Sequence, residues 1–158
     1  MFRELLRKKQ KLTIEECISV LENETRGVLS VNGDEGYPYG MPMNHFYNEF
    51  DGCIYFHCGK FGHRIDALRK DPKVSFCVYD KGFKREGEWA LNVKSVVVLG
   101  KITIIDDNDT IIDICEKLCH KFTDDEEYIQ KELQGSSKST LLLKLVPEHI
   151  CGKLVNEA

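Results

Sequence analysis

The chain has 158 residues, of which 42% are apolar and 30% charged, with a formal net charge of −4. These values fit a single globular domain over residues 1–158 with a core of its own, and they exclude disordered and fibrous classes. The acidic balance argues against broad nucleic-acid binding, and no apolar run reaches the roughly 20 residues needed to span a bilayer.

Taken in order, the N-terminal stretch is basic (Arg3, Arg7, Lys8, Lys9, Lys11) and lacks the apolar segment of a signal peptide, so a cytoplasmic location is expected. Thr13 with Glu16 forms a capping-box pattern, and Ile14, Cys17, Ile18 and Leu21 recur at helical spacing, which predicts a helix from Thr13 to Asn23. Arg26 to Asn32 reads as a strand closed by the turn Gly33-Asp34-Glu35-Gly36. Tyr37 to Tyr47 reads as a second strand. Its prolines, Pro38 and Pro42, cannot donate to a ladder and place it at an edge, a bulge or a ligand. After a turn at Asn48–Gly52, Cys53 to His57 is a third strand, and a helix starts near His63 and stops at Asp71-Pro72.

Lys73 to Asp80 reads as a fourth strand and Lys81 to Glu88 as a charged loop. Trp89 to Ile105 is a long extended segment with a bend suggested by Ser95 and Gly100. Its run Val96-Val97-Val98-Leu99 is too continuous for a strand with one wet face and calls for cover on both sides. Asp106 to Gln134 is helical with a break near Thr123-Asp124. The charged run Asp124-Asp125-Glu126-Glu127 is a solvated helix start, Thr140 to Val146 a closing strand, and Pro147 to Ala158 a tail. Short strands joined by glycine turns predict a mainly β, closed antiparallel barrel of six strands with peripheral helices.

The seven cysteines contain no Cys-x-x-Cys and read as reduced, mainly buried thiols. Cys115, Cys119 and His120 invite a metal assignment. However, Ile111, Ile114, Cys115, Leu118, Cys119 and Phe122 form one helical stripe, which favours core packing.

The stretch from Cys53 to Lys70 carries the chemistry. A buried strand runs into Cys58-Gly59-Lys60-Phe61-Gly62, and from His63 the spacing becomes helical. Two glycines, free amides at a helix start and the charges of Lys60 and Arg64 together make an anion site, with phosphate as the expected occupant. The alternative is an ordinary strand-to-helix connection with two surface cations, since the spacing is neither a Walker loop nor a dinucleotide fingerprint.

Several segments together resemble one family: Gly36-Tyr37-Pro38-Tyr39-Gly40-Met41-Pro42-Met43-Asn44, Ile54-Tyr55-Phe56-His57-Cys58, Gly62-His63-Arg64-Ile65-Asp66, Lys73-Val74-Ser75-Phe76, Ser95-Val96-Val97-Val98-Leu99-Gly100-Lys101 and Gly152-Lys153. In content and order they are similar to the nitroimidazole-resistance (Nim-like) branch of the pyridoxamine 5'-phosphate oxidase-like proteins, which share an FMN-binding split β-barrel. The resemblance spans about Lys8 to Lys153, with Gln10 and Phe61 standing where the family often has acidic residues.

The resemblance implies a homodimer with FMN at the subunit interface. Met41, Pro42, Met43 and Asn44 would lie along the flavin ring. His57, Cys58, Lys60, His63 and Arg64 would hold the phosphate and ribityl chain, and Ser95 and Val96 would come from the partner. Of the remaining candidates, His57 is also readable as a satisfied histidine at a strand end, and His45 and His149 as structural or surface residues, with lining of the substrate side beside Asn44 as the alternative for His45. Trp89 is either core or part of the pocket cover.

The expected function is an FMN-dependent oxidoreductase passing electrons from NAD(P)H to a nitro-aromatic or related small aromatic acceptor. A redox cofactor carries such chemistry without a catalytic triad or carboxylate pair, and none is recognisable here. The alternatives are an FMN- or haem-binding module without turnover and, less favoured by the acidic balance, an oligonucleotide-binding barrel. No metal is expected.

Overall fold

The structure, a computed structural model, describes residues 1–136 and 139–157. A single 3-10 turn at Lys8–Gln10 leads to helix α1 (Ile14–Asn23). Strands β1 (Arg26–Asn32), β2 (Pro38–Asn44), β3 (Phe46–Asn48) and β4 (Cys53–Gly59) precede helix α2 (His63–Lys70). Then come β5 (Lys73–Tyr79), β6 (Phe83–Lys84), β7 (Leu91–Ile105), the helices α3 (Asn108–Cys119) and α4 (Glu126–Ser136), and β8 (Thr140–Asn156).

The predicted first helix is present with its capping box: the Glu16 amide donates to Thr13 Oγ1 (3.2 Å) and the Thr13 amide to Glu16 Oε2 (3.0 Å). Its buried face, Cys17, Val20 and Leu21, joins the main core. Gly152 is required beneath it, because a Cβ there would lie 2.5 Å from the Cys17 sulfur.

The strands form one antiparallel sheet in the order β2-β1-β5-β7-β8-β4-β3, with β6 paired to β7. β2 and β3 are the two ends of that order, yet only His45 separates them in sequence. The sheet therefore curls until its ends meet, which is the expected split barrel with peripheral helices. Phe56 and Phe76 meet edge to face inside it, 5.0 Å between ring centres, with Val96 and Val98 fully buried around them.

Strand boundaries differ from expectation in two places, and one of these, a break, together with an added short strand gives eight strands among the described residues where six were expected. The Tyr37–Tyr47 strand is broken at His45, whose amide leaves the ladder to donate to the Thr25 carbonyl (3.3 Å). The other difference is at Pro147–Asn156, which continues β8 instead of forming a tail; Ala158 lies outside the described residues. Pro147 does not end the strand because the register shifts there: Leu99 pairs with His149 and Gly100 with Pro147, so Glu148 is an extra residue. Gly100 is obligatory at this point, since a Cβ would overlap the Val146 carbonyl oxygen. The short β6 is the further addition, inside the segment read as a charged loop.

The run Val96–Leu99 divides by alternation. Val96 and Val98 face the interior, while Val97 and Leu99 are half-buried on the outer face. The register places Pro42, Val28, Cys77, Val97 and Cys151 in one row across five strands of that face. On another side, α3 buries Ile111 and Ile114 against Cys53, Tyr55 and Leu142. Cys115 and Cys119 are half-buried thiols on that helix, as the packing reading expects, and burial pushes Cys115 up to about 11. Phe122 departs from the stripe: α3 ends at Cys119 and Phe122 is half exposed beyond it.

His45 closes the barrel from within. Its ring is fully buried, with Nε2 2.8 Å from the Leu21 carbonyl and its edge against Phe76. A carbonyl only accepts, so Nε2 carries the proton, and Nδ1 has no partner among the described residues. The Lys121 ammonium donates to the His45 carbonyl (3.0 Å) and the Glu24 carbonyl (2.7 Å), fixing the joint from outside. Burial, then the Lys121 charge, holds the His45 pKa at about 4. The unfolded chain takes up a proton between its ordinary value near 6.5 and about 4, whereas the folded chain does not. Stability is therefore fully present above pH 6.5 and declines as pH falls through that window, by about 3 kcal/mol from this residue. Urea unfolding of wild type and His45→Gln across this range should show the shallower decline in the variant. Parallel declines would remove His45 as the cause.

Candidate functional site

The loop that carries the expected anion chemistry is hung on the start of β8. β4 pairs with β8 from Ile54↔Leu145 to Gly59↔Thr140, and the other side of the same stretch pairs with the end of β7. The chain therefore leaves β4 beside the end of β7, turns through Lys60–Gly62, and enters α2. Gly62 has φ +119°, a conformation that favours glycine, and no side chain caps the helix that follows. The first amides of α2 are thus left to solvent or to an acceptor.

Arg64, in the first turn of α2, is half-buried and lies across the place where β2 and β4 approach one another. Its Nε stands 3.0 Å from Met41 Sδ on β2, and its charge bears on Cys58 and His57 of β4. Burial pushes the Cys58 thiol up, and the guanidinium opposes that shift. Desolvation, then Arg64, pushes the His57 pKa down, although the residue as a whole is exposed. Among the described residues no carboxylate lies within salt-bridge distance of Arg64. A guanidinium held in place by a thioether and a thiol has most of its five donors unused.

The other expected residues divide. Lys60 is turned away and paired with Asp106 just past the end of β7, at 2.8 Å. His63 stacks on Tyr39, 4.4 Å between ring centres, with Nε2 3.4 Å from Asp34. Lys70 reaches the same carboxylate at 3.2 Å. Met41 and Met43 point into the core, whereas Pro42 and Asn44 lie on the outer side of the edge strand β2. Asn44 Oδ1 accepts from Arg26 Nε at 2.9 Å. Ser95 is on the outer face; the Val96 side chain is fully buried in its own barrel, leaving only its backbone accessible to a neighbour.

The structure therefore brings Met41, His57, Cys58 and Arg64 to one lip, with Lys60 and His63 at its flanks in other pairings. Asp106, Asp34 and Tyr39, which determine those pairings, were not foreseen from sequence. Asp106 is findable only through the β7–β8–β4 register, because 46 residues separate it from Lys60. His120 turns to Glu126, 3.5 Å away. The dependence of His57 on Arg64 can be read directly. In Arg64→Ala the His57 titration midpoint, followed by proton NMR of the ring, should rise toward its ordinary value, and an unmoved midpoint would show that the two groups do not face each other.

The family model described as pyridoxamine 5'-phosphate oxidase matches residues 13–154. No curated protein matches the chain. Among solved structures, a candidate 5-nitroimidazole antibiotic resistance protein from Bacteroides thetaiotaomicron superposes with a TM-score of 0.75 at 18% identity, covering 92% of this chain and 87% of that one. An FAD-binding protein from Mesorhizobium loti gives 0.66 at 24% identity, covering 92% and 97%. The flavocytochrome Anf3 from Azotobacter vinelandii gives 0.74 at 16% identity, covering 97% and 72%. At these identities the structural likenesses establish the split-barrel fold, and the family match over nearly the whole chain establishes kinship. The chain belongs to the pyridoxamine 5'-phosphate oxidase family.

Proposed function

We propose that the chain is a cytoplasmic flavin-dependent oxidoreductase that holds FMN between two copies of itself and reduces small nitro-aromatic or related acceptors at the expense of NAD(P)H. The observation that carries this reading is Arg64: a half-buried guanidinium with no carboxylate partner among the described residues, beside an uncapped helix start. That donor set fits a phosphate monoester. Charge-assisted hydrogen bonds from a planar fork suit phosphate oxygens, and the helix dipole adds to them. Family membership and neighbours named as an FAD-binding protein and a flavocytochrome support a flavin as the ligand class.

When bound, a flavin supplies the two-electron relay between a reduced nicotinamide and an acceptor. The residues of this chain bind and orient. Arg64 and the first amides of α2 take the phosphate. Lys60 joins them on leaving Asp106, an exchange that costs little because the pair is partly exposed. Gly59 has open space where a Cβ would be, so the ribityl chain can run close to the backbone. Desolvation and Arg64 shift His57 toward its neutral form, in which one ring nitrogen accepts a hydrogen bond. The edge strand β2 offers its unpaired side to the ring, with Pro42 contributing no donor there.

The outer row Pro42, Val28, Cys77, Val97 and Cys151 supports the homodimer, as an apolar sheet face adjoining the same edge strand. In such a pair, Ser95 of the partner subunit would approach by its side chain and Val96 of the partner subunit by its backbone.

The purified protein should show a flavin absorbance band that bleaches with NADH or NADPH without oxygen and returns on addition of a nitroimidazole. A band that never bleaches would leave a binding module. In Arg64→Ala, FMN affinity should fall by about 1.5–3 kcal/mol, roughly ten- to a hundredfold. Lys60→Ala should cost less, since Asp106 already competes for that ammonium. Gel filtration should find both variants in the same oligomeric state as wild type. Full FMN retention in Arg64→Ala would overturn the phosphate assignment.

A further inference from the structure

A cleft away from the Arg64 lip shares no residue with it. It occupies the opposite end of the β7–β8 pair, where β7 begins and β8 ends, about 45 Å along the strand from the Asp106 end at ~3.3 Å per residue. Its volume is about 550 Å³, within the range of small-molecule sites. The β6–β7 hairpin shapes one wall. Phe83 pairs with Asn92 and Lys84 with Leu91, and the intervening loop is tightened by a bond from the Glu88 amide to the Arg85 carbonyl (3.0 Å). Gly87 has φ +77° within that turn, where a side chain would be strained.

Four features of the lining point to one ligand chemistry. Trp89 is 75% exposed, so its indole face is open to a planar ring. Lys9 and Arg85 lie at the same cleft, and among the described residues neither stands within salt-bridge distance of a carboxylate. Glu88 adds a single acceptor suited to ribose hydroxyls. The floor is fixed: Asn92, 1% exposed, donates to the Phe83 carbonyl (3.3 Å) and accepts from Asn156 (3.1 Å). A ring platform, two cations and one carboxylate on a fixed floor match base, phosphate and ribose in turn.

We propose that this cleft binds a 5'-adenylate group, the part shared by free adenine nucleotides and adenine dinucleotides. None of the cleft's residues belongs to the Arg64 lip, and Trp89, read from sequence as either core or flavin-pocket cover, is here an exposed wall of a separate cleft.

Trp89 is the sole tryptophan, so its emission reports the site directly. In the full-length protein freed of flavin, AMP should change that emission saturably. Adenine alone and ribose 5-phosphate alone should each bind at least about tenfold more weakly. The double variant Lys9→Ala/Arg85→Ala should raise the AMP dissociation constant at least about tenfold, while circular dichroism stays unchanged. Arg64→Ala should leave the AMP response intact. Competition by ADP-ribose but not FAD would assign the adenylate to a nicotinamide dinucleotide, and competition by FAD but not ADP-ribose to a flavin dinucleotide. No saturable change at millimolar AMP, an undiminished response in the Lys9/Arg85 variant, or loss of the response in Arg64→Ala would each overturn the proposal.

Discussion

The close approach of Gly100 to the Val146 carbonyl is the constraint on which the arrangement turns. It lets two strands of 15 and 17 residues stay paired through a register shift, absorbing Glu148 without breaking the ladder. One end of this antiparallel pair, whose strands are joined through α3 and α4, receives β4, and with it the loop that leads into Arg64. The other end receives β6 and the Trp89 loop. Most of the remaining sheet is built outward from the pair, with β5 and β1 on one flank and β4 and β3 on the other, until β2 and β3 meet at His45.

Curling the sheet has an energetic consequence at the closure. The joint must bury a residue with polar atoms on both backbone and side chain, and burial without partners is costly. His45 meets most of that cost through Leu21, Thr25 and Lys121, leaving Nδ1 unpaired. Lys121 is itself partly desolvated, and burial lowers its pKa to about 8. Neither group belongs to the lip around Arg64. Their role is to hold the two ends of the sheet together so that β2 and β4 approach, which is what Arg64 spans.

Much of the fold was legible in the sequence because local chemistry agreed with tertiary structure. The Thr13/Glu16 box, the alternation from Arg26 to Asn32 and the Asp71-Pro72 stop each needed no partner to be read. Local signals failed where a distant residue decided the outcome. Pro147 looks like a terminator until Gly100 is placed opposite it, and His45 looks like one more strand residue until Leu21 and Lys121 surround it. The candidate site divides in the same way. Arg64 and the glycine turn were visible as a strand-to-helix connection. The pairing of Lys60 with Asp106 and the stacking of His63 on Tyr39 depend on register and were not visible. The alternation that turns Val96 inward, by contrast, was readable in principle from the run Val96–Leu99.

The central claim is that the lip around Arg64 grips a phosphate, and the most direct measurement compares two ligands that differ only in that group. FMN and riboflavin, titrated separately into flavin-free protein by quenching of flavin emission, share the ring and the ribityl chain. The account predicts that FMN binds at least about a hundredfold more tightly, the worth of one or two charge-assisted contacts. Equal affinities would contradict it, because the ring would then bind without help from the Arg64 lip.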